Sequence, residues 1–109
     1  MYEKPTGTVK FFFATQKSPT VIIKRETYVA RPRANAMSKS DEKACHWAFL
    51  ATLAALEKRA QQLSGNAVVN IVSYYNKNEM ASTTEFECHA GNVIAVVALK
   101  GDIVKVAGE

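Results

Sequence analysis

The sequence predicts an α+β fold: a four- or five-stranded, mainly antiparallel sheet with one long helix packed on a face. Three observations predict it. A single stretch, residues 41 to about 63, is rich in helix formers and free of Gly and Pro. Runs of β-branched, aromatic or alternating residues lie on both sides of it. Gly, Pro, Asn and Ser separate those runs as turns. At 109 residues, 48% hydrophobic and 22% charged, the chain reads as one globular domain spanning residues 1–109.

The elements follow in order. Residues 9–13 read as a strand with Val9, Phe11 and Phe13 on one face. Gln16-Lys17-Ser18-Pro19 is a turn, and residues 20–30 form a second, β-branched strand that pairs with the first as a hairpin. Arg31-Pro32-Arg33 ends that strand, and a polar loop runs to Lys39. Ser38 and Ser40 are candidate N-caps, with Asp41 and Glu42 where carboxylates favour a helix start; Ser38 with Asp41 also has capping-box spacing. The helix's core stripe is Cys45, Phe49, Leu53, Leu56, Ala60 and Leu63, and Gly65-Asn66 stops it. Residues 66–75 form a third strand, followed by the polar loop Asn76-Lys77-Asn78-Glu79. Residues 83–88 alternate as a strand, and His89-Ala90-Gly91-Asn92 is a turn. Residues 93–99 are one uninterrupted apolar run, continued at 103–106 beyond a bulge at Gly101.

Surface coverage points to self-association. Val68-Val69 and residues 93–99 are apolar on both strand faces, so both faces of the sheet should be covered. Five strands make a sheet roughly 24 Å wide, and one helix roughly 10 Å across covers part of one face. Trp47, Leu50, Ala51 and Ala54 lie on the helix side away from the core stripe. A homo-oligomer whose interface includes these four residues buries both surfaces. Coverage by loops and the first strand, with Trp47 a tolerated surface residue, is the alternative.

The formal net charge of +4 is mild, and lysines on a solvated surface account for it. No apolar run reaches the roughly 18 residues of a membrane span. The start, Met-Tyr-Glu-Lys-Pro-Thr-Gly, lacks the basic and apolar regions of a signal peptide. The protein is then either cytoplasmic or the mature form of a periplasmic or secreted chain.

Two Cys-His pairs, Cys45-His46 and Cys88-His89, carry the most chemistry. As a tetrahedral metal set the four have the right donor count but the wrong geometry: neighbours on a strand face opposite ways, and neighbours on a helix diverge by about 100°. Cys45 and Cys88 both fall on predicted core faces, where a disulfide can form. Disulfide is the favoured reading, ahead of two buried thiols and of the metal alternative. A Cys-His nucleophile would lose its thiol to the bridge. No Gly-x-Ser-x-Gly elbow or Ser/His/Asp grouping occurs, and Glu85 with Glu87 is the remaining acid–base pair, on a strand face that is commonly charged. No catalytic set or cofactor motif stands out, so a non-enzyme is expected. Lys24, Arg25, Arg31, Arg33 and Lys39 are the candidate anion contacts, though only Tyr28 supplies an aromatic among them, which favours a solvated edge over a nucleic acid or anionic glycan. Tyr74 and Tyr75 are a candidate recognition patch, with strand packing as the plainer reading.

Several segments carry a resemblance. Ser64-Gly65-Asn66-Ala67-Val68-Val69 resembles the helix-to-strand motif of the small YbjQ-type α+β proteins of bacteria. Val9 to Phe13, Ser40-Asp41-Glu42 through Cys45-His46-Trp47, Gly65 to Ile71, Glu85 to Gly91 and Val97 to Gly101 resemble small exported bacterial proteins that carry the label of an excinuclease ATPase. The resemblance implies a YbjQ-like fold, an exported protein in its mature form, and assembly into closed rings. The ATPase label implies a Gly-x-x-x-x-Gly-Lys-[Ser/Thr] phosphate loop, and the sequence has none. The expected function is a non-enzymatic exported bacterial protein that self-associates and has a binding or structural role in the cell envelope or outside the cell. The competing expectation is an anion- or nucleic-acid-binding module using the basic strand-loop patch.

Overall fold

The computed structural model describes residues 7, 9–37, 40–82, 86–91 and 93–107. In chain order its elements are β1 (Lys10–Phe13), β2 (Val21–Ala30), β3 (Arg33–Asn35), α1 (Asp41–Gln62), β4 (Ala67–Tyr75), β5 (Asn78–Met80), β6 (Cys88–Ala90), β7 (Ile94–Val97) and β8 (Leu99–Val106). The fold is α+β, as the sequence predicts. A five-stranded mixed sheet has the order β1-β4-β8-β2, with β5 added to β4, and a second sheet has the order β3-β7-β6. Helix α1 packs against both sheets, and one continuous core joins them through Leu56, Val68, Ile71, Val97, Leu99 and Ile103. Among the described residues, no helix is long and apolar enough to cross a membrane.

The helix begins where the sequence places it. Ser40 is the N-cap, its Oγ accepting from the Lys43 N–H at 3.2 Å; Ser38 lies outside the described residues. The helix ends one residue earlier than Gly65 suggests. Ser64 takes the left-handed conformation (φ 59°), its N–H donating to Gln61 while the Gly65 N–H donates to Ala60 at 2.8 Å, the paired bonds of a Schellman cap. Gly65 is required for space instead: a Cβ there would sit 2.9 Å from the Val104 carbonyl oxygen.

Several expectations are corrected. β1 and β2 do not form a hairpin: β1 runs parallel to β4, and β2 crosses to the far edge to pair with β8. The parallel pairing places half-buried Phe11 and Phe13 beside Val68 and Ile71, packed against the core, which a β1–β2 hairpin would not. The segment after Pro32 is not loop throughout, because Arg33–Asn35 pairs with β7 and buries Ala34. The segment 76–79 is not loop throughout: Asn76 (φ 52°) and Lys77 (φ 62°), both left-handed, form a two-residue hairpin turn, and Asn78 and Glu79 begin β5 opposite Tyr75 and Tyr74. His89 and Ala90 belong to strand β6 rather than a turn, while residues 83–85 of the expected strand lie outside the described residues.

The apolar run 93–99 is not one strand. It divides at Ala98, with Ile94–Val97 in the small sheet and Leu99 onward in the large one, so both of its faces are apolar because it serves two sheets. The bulge lies across from Gly101, in β4. Two residues between paired positions on β4, Asn70 and Ile71, face one on β8, Gly101, and Asn70 takes φ 55°. Gly101 is there because a Cβ would meet Val68 Cγ1 at 2.6 Å and Ile71 Cγ1 at 3.1 Å.

The core stripe of α1 is rotated from the predicted one. Ala44, Ala48, Thr52, Leu56 and Ala60 form its centre, with Leu53 buried beside them, while Cys45, Phe49 and Leu63 are half-buried on the flank. Two sheets approach the helix, so the buried arc is wide and small residues line its middle. Thr52 is satisfied there, its Oγ1 lying 2.8 Å from the Ala48 carbonyl and 2.7 Å from that of Val97. The opposite face of the large sheet has its own smaller cluster, Ala67, Val69, Val104 and Val106 with Phe12.

Candidate functional site

Two concave surfaces stand out among the described residues. The first surrounds the disulfide. Cys45, in the second turn of α1, is bonded to Cys88 at the start of β6, with Cα atoms 5.9 Å apart across 43 positions. The bridge ties the helix to the small sheet and lies on an open groove of about 550 Å³, also lined by Asp41, Tyr75, His89 and Ile94. His89 stacks on Tyr75 with centroids 3.7 Å apart, and its Nε2 lies 2.6 Å from Glu87 Oε2. Tyr75 reaches the small sheet because it shares a strand face with buried Ser73, whose Oγ accepts from the Glu87 N–H.

This arrangement corrects the metal alternative. The set Cys45, His46, Cys88 and His89 has no thiolate to offer once the sulfurs are bonded to each other, and His46 is exposed. Among the described residues no group of three or more His, Cys, Asp or Glu is placed to hold an ion. The same bond removes the Cys-His nucleophile. Glu85 lies outside the described residues, and Glu87 is engaged with His89.

The second surface is cationic. An open cleft of about 390 Å³ lies between the end of β2 and the β4–β5 hairpin, lined by Val29, Arg31, Tyr74, Asn76 and Lys77. Of the five basic residues singled out from sequence, Arg31 is the one among the described residues that lines it. Lys24 pairs with Asp102 at 3.5 Å, Arg33 is on β3 in the other sheet, Arg25 is exposed in mid-strand, and Lys39 lies outside the described residues. Lys77 was not recognisable from the sequence, because the turn that aligns it with Arg31 is built from Asn-Lys rather than a glycine pair. Tyr74 and Tyr75 do not form one patch: successive strand residues face opposite ways, so Tyr74 joins the cationic cleft and Tyr75 the disulfide groove.

The expected interface residues are less exposed than the sequence suggests. Ala54 is buried within the chain, and Trp47, Leu50 and Ala51 are half-buried. The larger apolar exposure is on β2, a sheet edge, where Val21, Ile22 and Ile23 are 41, 58 and 43% exposed. Bulges between Val21 and Ile23 and between Lys24 and Glu26 break the β2 alternation there.

Acidic groups on the large sheet give one pH prediction. Burial raises the Asp102 pKa, but hydrogen bonds from Asn70 and Thr27 and the nearby Lys24 ammonium outweigh it and hold the carboxyl below its ordinary range. The Glu26 carboxyl, bonded by the Arg59 guanidinium at 2.8 and 2.9 Å, is likewise lowered, that hydrogen bond and the guanidinium charge together outweighing the opposing effect of burial. A carboxyl lowered on folding adds stability above its unfolded pKa and loses it as pH falls through the folded value. Melting temperature should therefore hold level from pH 7 to 5 and fall below about pH 4. Asp102→Asn with Glu26→Gln should flatten that acid limb; an unchanged limb would remove both groups from the account.

No protein-family model matches the chain, and no curated protein matches it significantly.

Proposed function

We propose that this protein is a non-enzymatic bacterial protein of the periplasm or the extracellular space that assembles with itself and has a binding or structural role. The observation that carries the compartment is the Cys45–Cys88 bridge, since structural disulfides persist in oxidising compartments and are rare in reducing ones. Self-association is supported by the edge position of β2, which among the described residues pairs on one side, with β8. A ten-residue edge strand with three exposed β-branched apolar residues at one end is a template for pairing, and a second copy meeting it antiparallel about a two-fold axis satisfies both edges at once. The half-buried Trp47 and Leu50 lie toward the opposite end of α1 from Arg59, which reaches β2 through Glu26. They offer a second, separate contact.

Light scattering tests this directly. The purified protein should give a mass well above 12.0 kDa, and Ile22→Lys with Ile23→Lys should lower it toward the monomer. If Trp47→Glu with Leu50→Glu lowers it instead, the contact is on the helix. A clean monomer at high micromolar concentration removes self-association from the proposal.

A further inference from the structure

We propose that the cleft between the β4–β5 hairpin and the end of β2 binds a carboxylate carried on a small saturated ring, the chemistry of a uronic acid. The cleft's volume of about 390 Å³ suits a ligand of one sugar's size. Its two cations sit on constrained backbone. Lys77 is the second residue of a two-residue turn held between paired Tyr75 and Asn78, and Arg31 precedes Pro32, which disfavours helical backbone at the preceding residue. Among the described residues neither cation is spent elsewhere. Lys24, Arg59 and Lys100 are paired with Asp102, Glu26 and Glu79, whereas Arg31 and Lys77 make no ion pair among the described residues.

The remaining lining selects the ligand class. An arginine fork matches a planar carboxylate through two parallel hydrogen bonds, with the lysine ammonium as a second charge. Val29 and the Tyr74 ring form an apolar wall against which the C–H face of a sugar packs, and the Asn76 amide is placed for its hydroxyls. The Lys100 ammonium, 4.6 Å from the Tyr74 ring centre, orients that ring and is neutralised by Glu79. A bare phosphate would leave the wall and the amide unused. The start of α1, the anion-favouring helix end, belongs to the disulfide groove rather than to this cleft. Val29 and Arg31 lie seven and nine residues along the chain from Ile22, roughly 23–30 Å in extended conformation.

The test is an amide-resolved NMR titration of the full chain with sodium glucuronate, glucose and inorganic phosphate at constant ionic strength. Glucuronate should shift the Val29, Asn76 and Lys77 amides, with glucose and phosphate each at least about tenfold weaker, the ratio expected for losing one charged bidentate contact or the packed ring. Arg31→Ala and Lys77→Ala should each weaken glucuronate about fivefold or more, and Arg31→Lys should recover part of the loss. Arg33→Ala should leave affinity unchanged, and the variants' spectra away from the cleft should match the parent. Equal affinity for glucose, phosphate binding as tight as glucuronate, or glucuronate affinity untouched in the Arg31→Ala/Lys77→Ala chain would each overturn the assignment.

Discussion

The Cys45→Ala/Cys88→Ala chain is expected to be less stable than the bridged protein by up to about 4 kcal/mol. In the chain-entropy account a bridge closing 43 positions restricts the unfolded ensemble by that amount, and any strain in the folded state reduces it. Domains of this kind have total stabilities of about 5–10 kcal/mol, so the bridge is a large share. Its position adds to its weight. The small sheet has three strands of three or four residues each, too little to hold alone, and Cys88 anchors its outer strand to the helix. Urea unfolding with and without reductant measures the effect. Both cysteines are only half-buried beside an open groove, so reductant should reach the bond in the folded protein. Intact mass supplies the control: the untreated folded protein should take up no alkylating reagent at either cysteine. Alkylation of both would remove the bridge and the main residue-level support for an extracytoplasmic location.

Local signals were legible in the sequence, and pairings between distant segments were not. Ser40, Asp41 and the Gly- and Pro-free stretch after them mark the helix start, because caps and propensity act within a few residues. The Cys45–Cys88 bridge was legible because both cysteines fall on faces that pack together when the helix lies across the strands. Strand partners depend instead on which apolar faces meet. Nothing near Phe11 says that it will lie beside Val68, and the turn after it suggested the nearer partner, β2. The stripe on α1 was misplaced for a related reason. Pattern reading favours large residues such as Phe49 and Leu63, but a helix pressed between two sheets puts alanines at its centre and its larger side chains on the flanks. The cationic cleft was half legible: Arg31 stands out as a charge, but Lys77 joins it only through a left-handed turn with no glycine to announce it.

Leu56→Ala should cost about 2–5 kcal/mol, and Leu63→Ala distinctly less, although the sequence pattern ranks the two together. Leu56 is fully buried where α1 meets both sheets, so its truncation leaves a cavity that neither sheet can close without disturbing the other. Leu63 is the half-buried C-cap residue, and water or a small shift can fill the space it leaves. Urea unfolding of the bridged protein should show a lower midpoint for Leu56→Ala with an unchanged slope, the sign of lost stability rather than an altered unfolded state. Comparable losses for the two variants would return the stripe to the predicted register. Combining Leu56→Ala with the loss of the bridge sharpens the test. The two sites are 11 residues apart on α1, about 16 Å, far enough for their effects to add. Their sum, at most about 6–9 kcal/mol, is comparable to the whole stability of such a domain. The triple variant Cys45→Ala/Leu56→Ala/Cys88→Ala is therefore expected to be largely unfolded at 25 °C by circular dichroism, where either change alone leaves a folded chain. A triple variant that still melts cooperatively near the parent temperature would show that the bridge, the core packing at Leu56, or both contribute far less than their geometry implies.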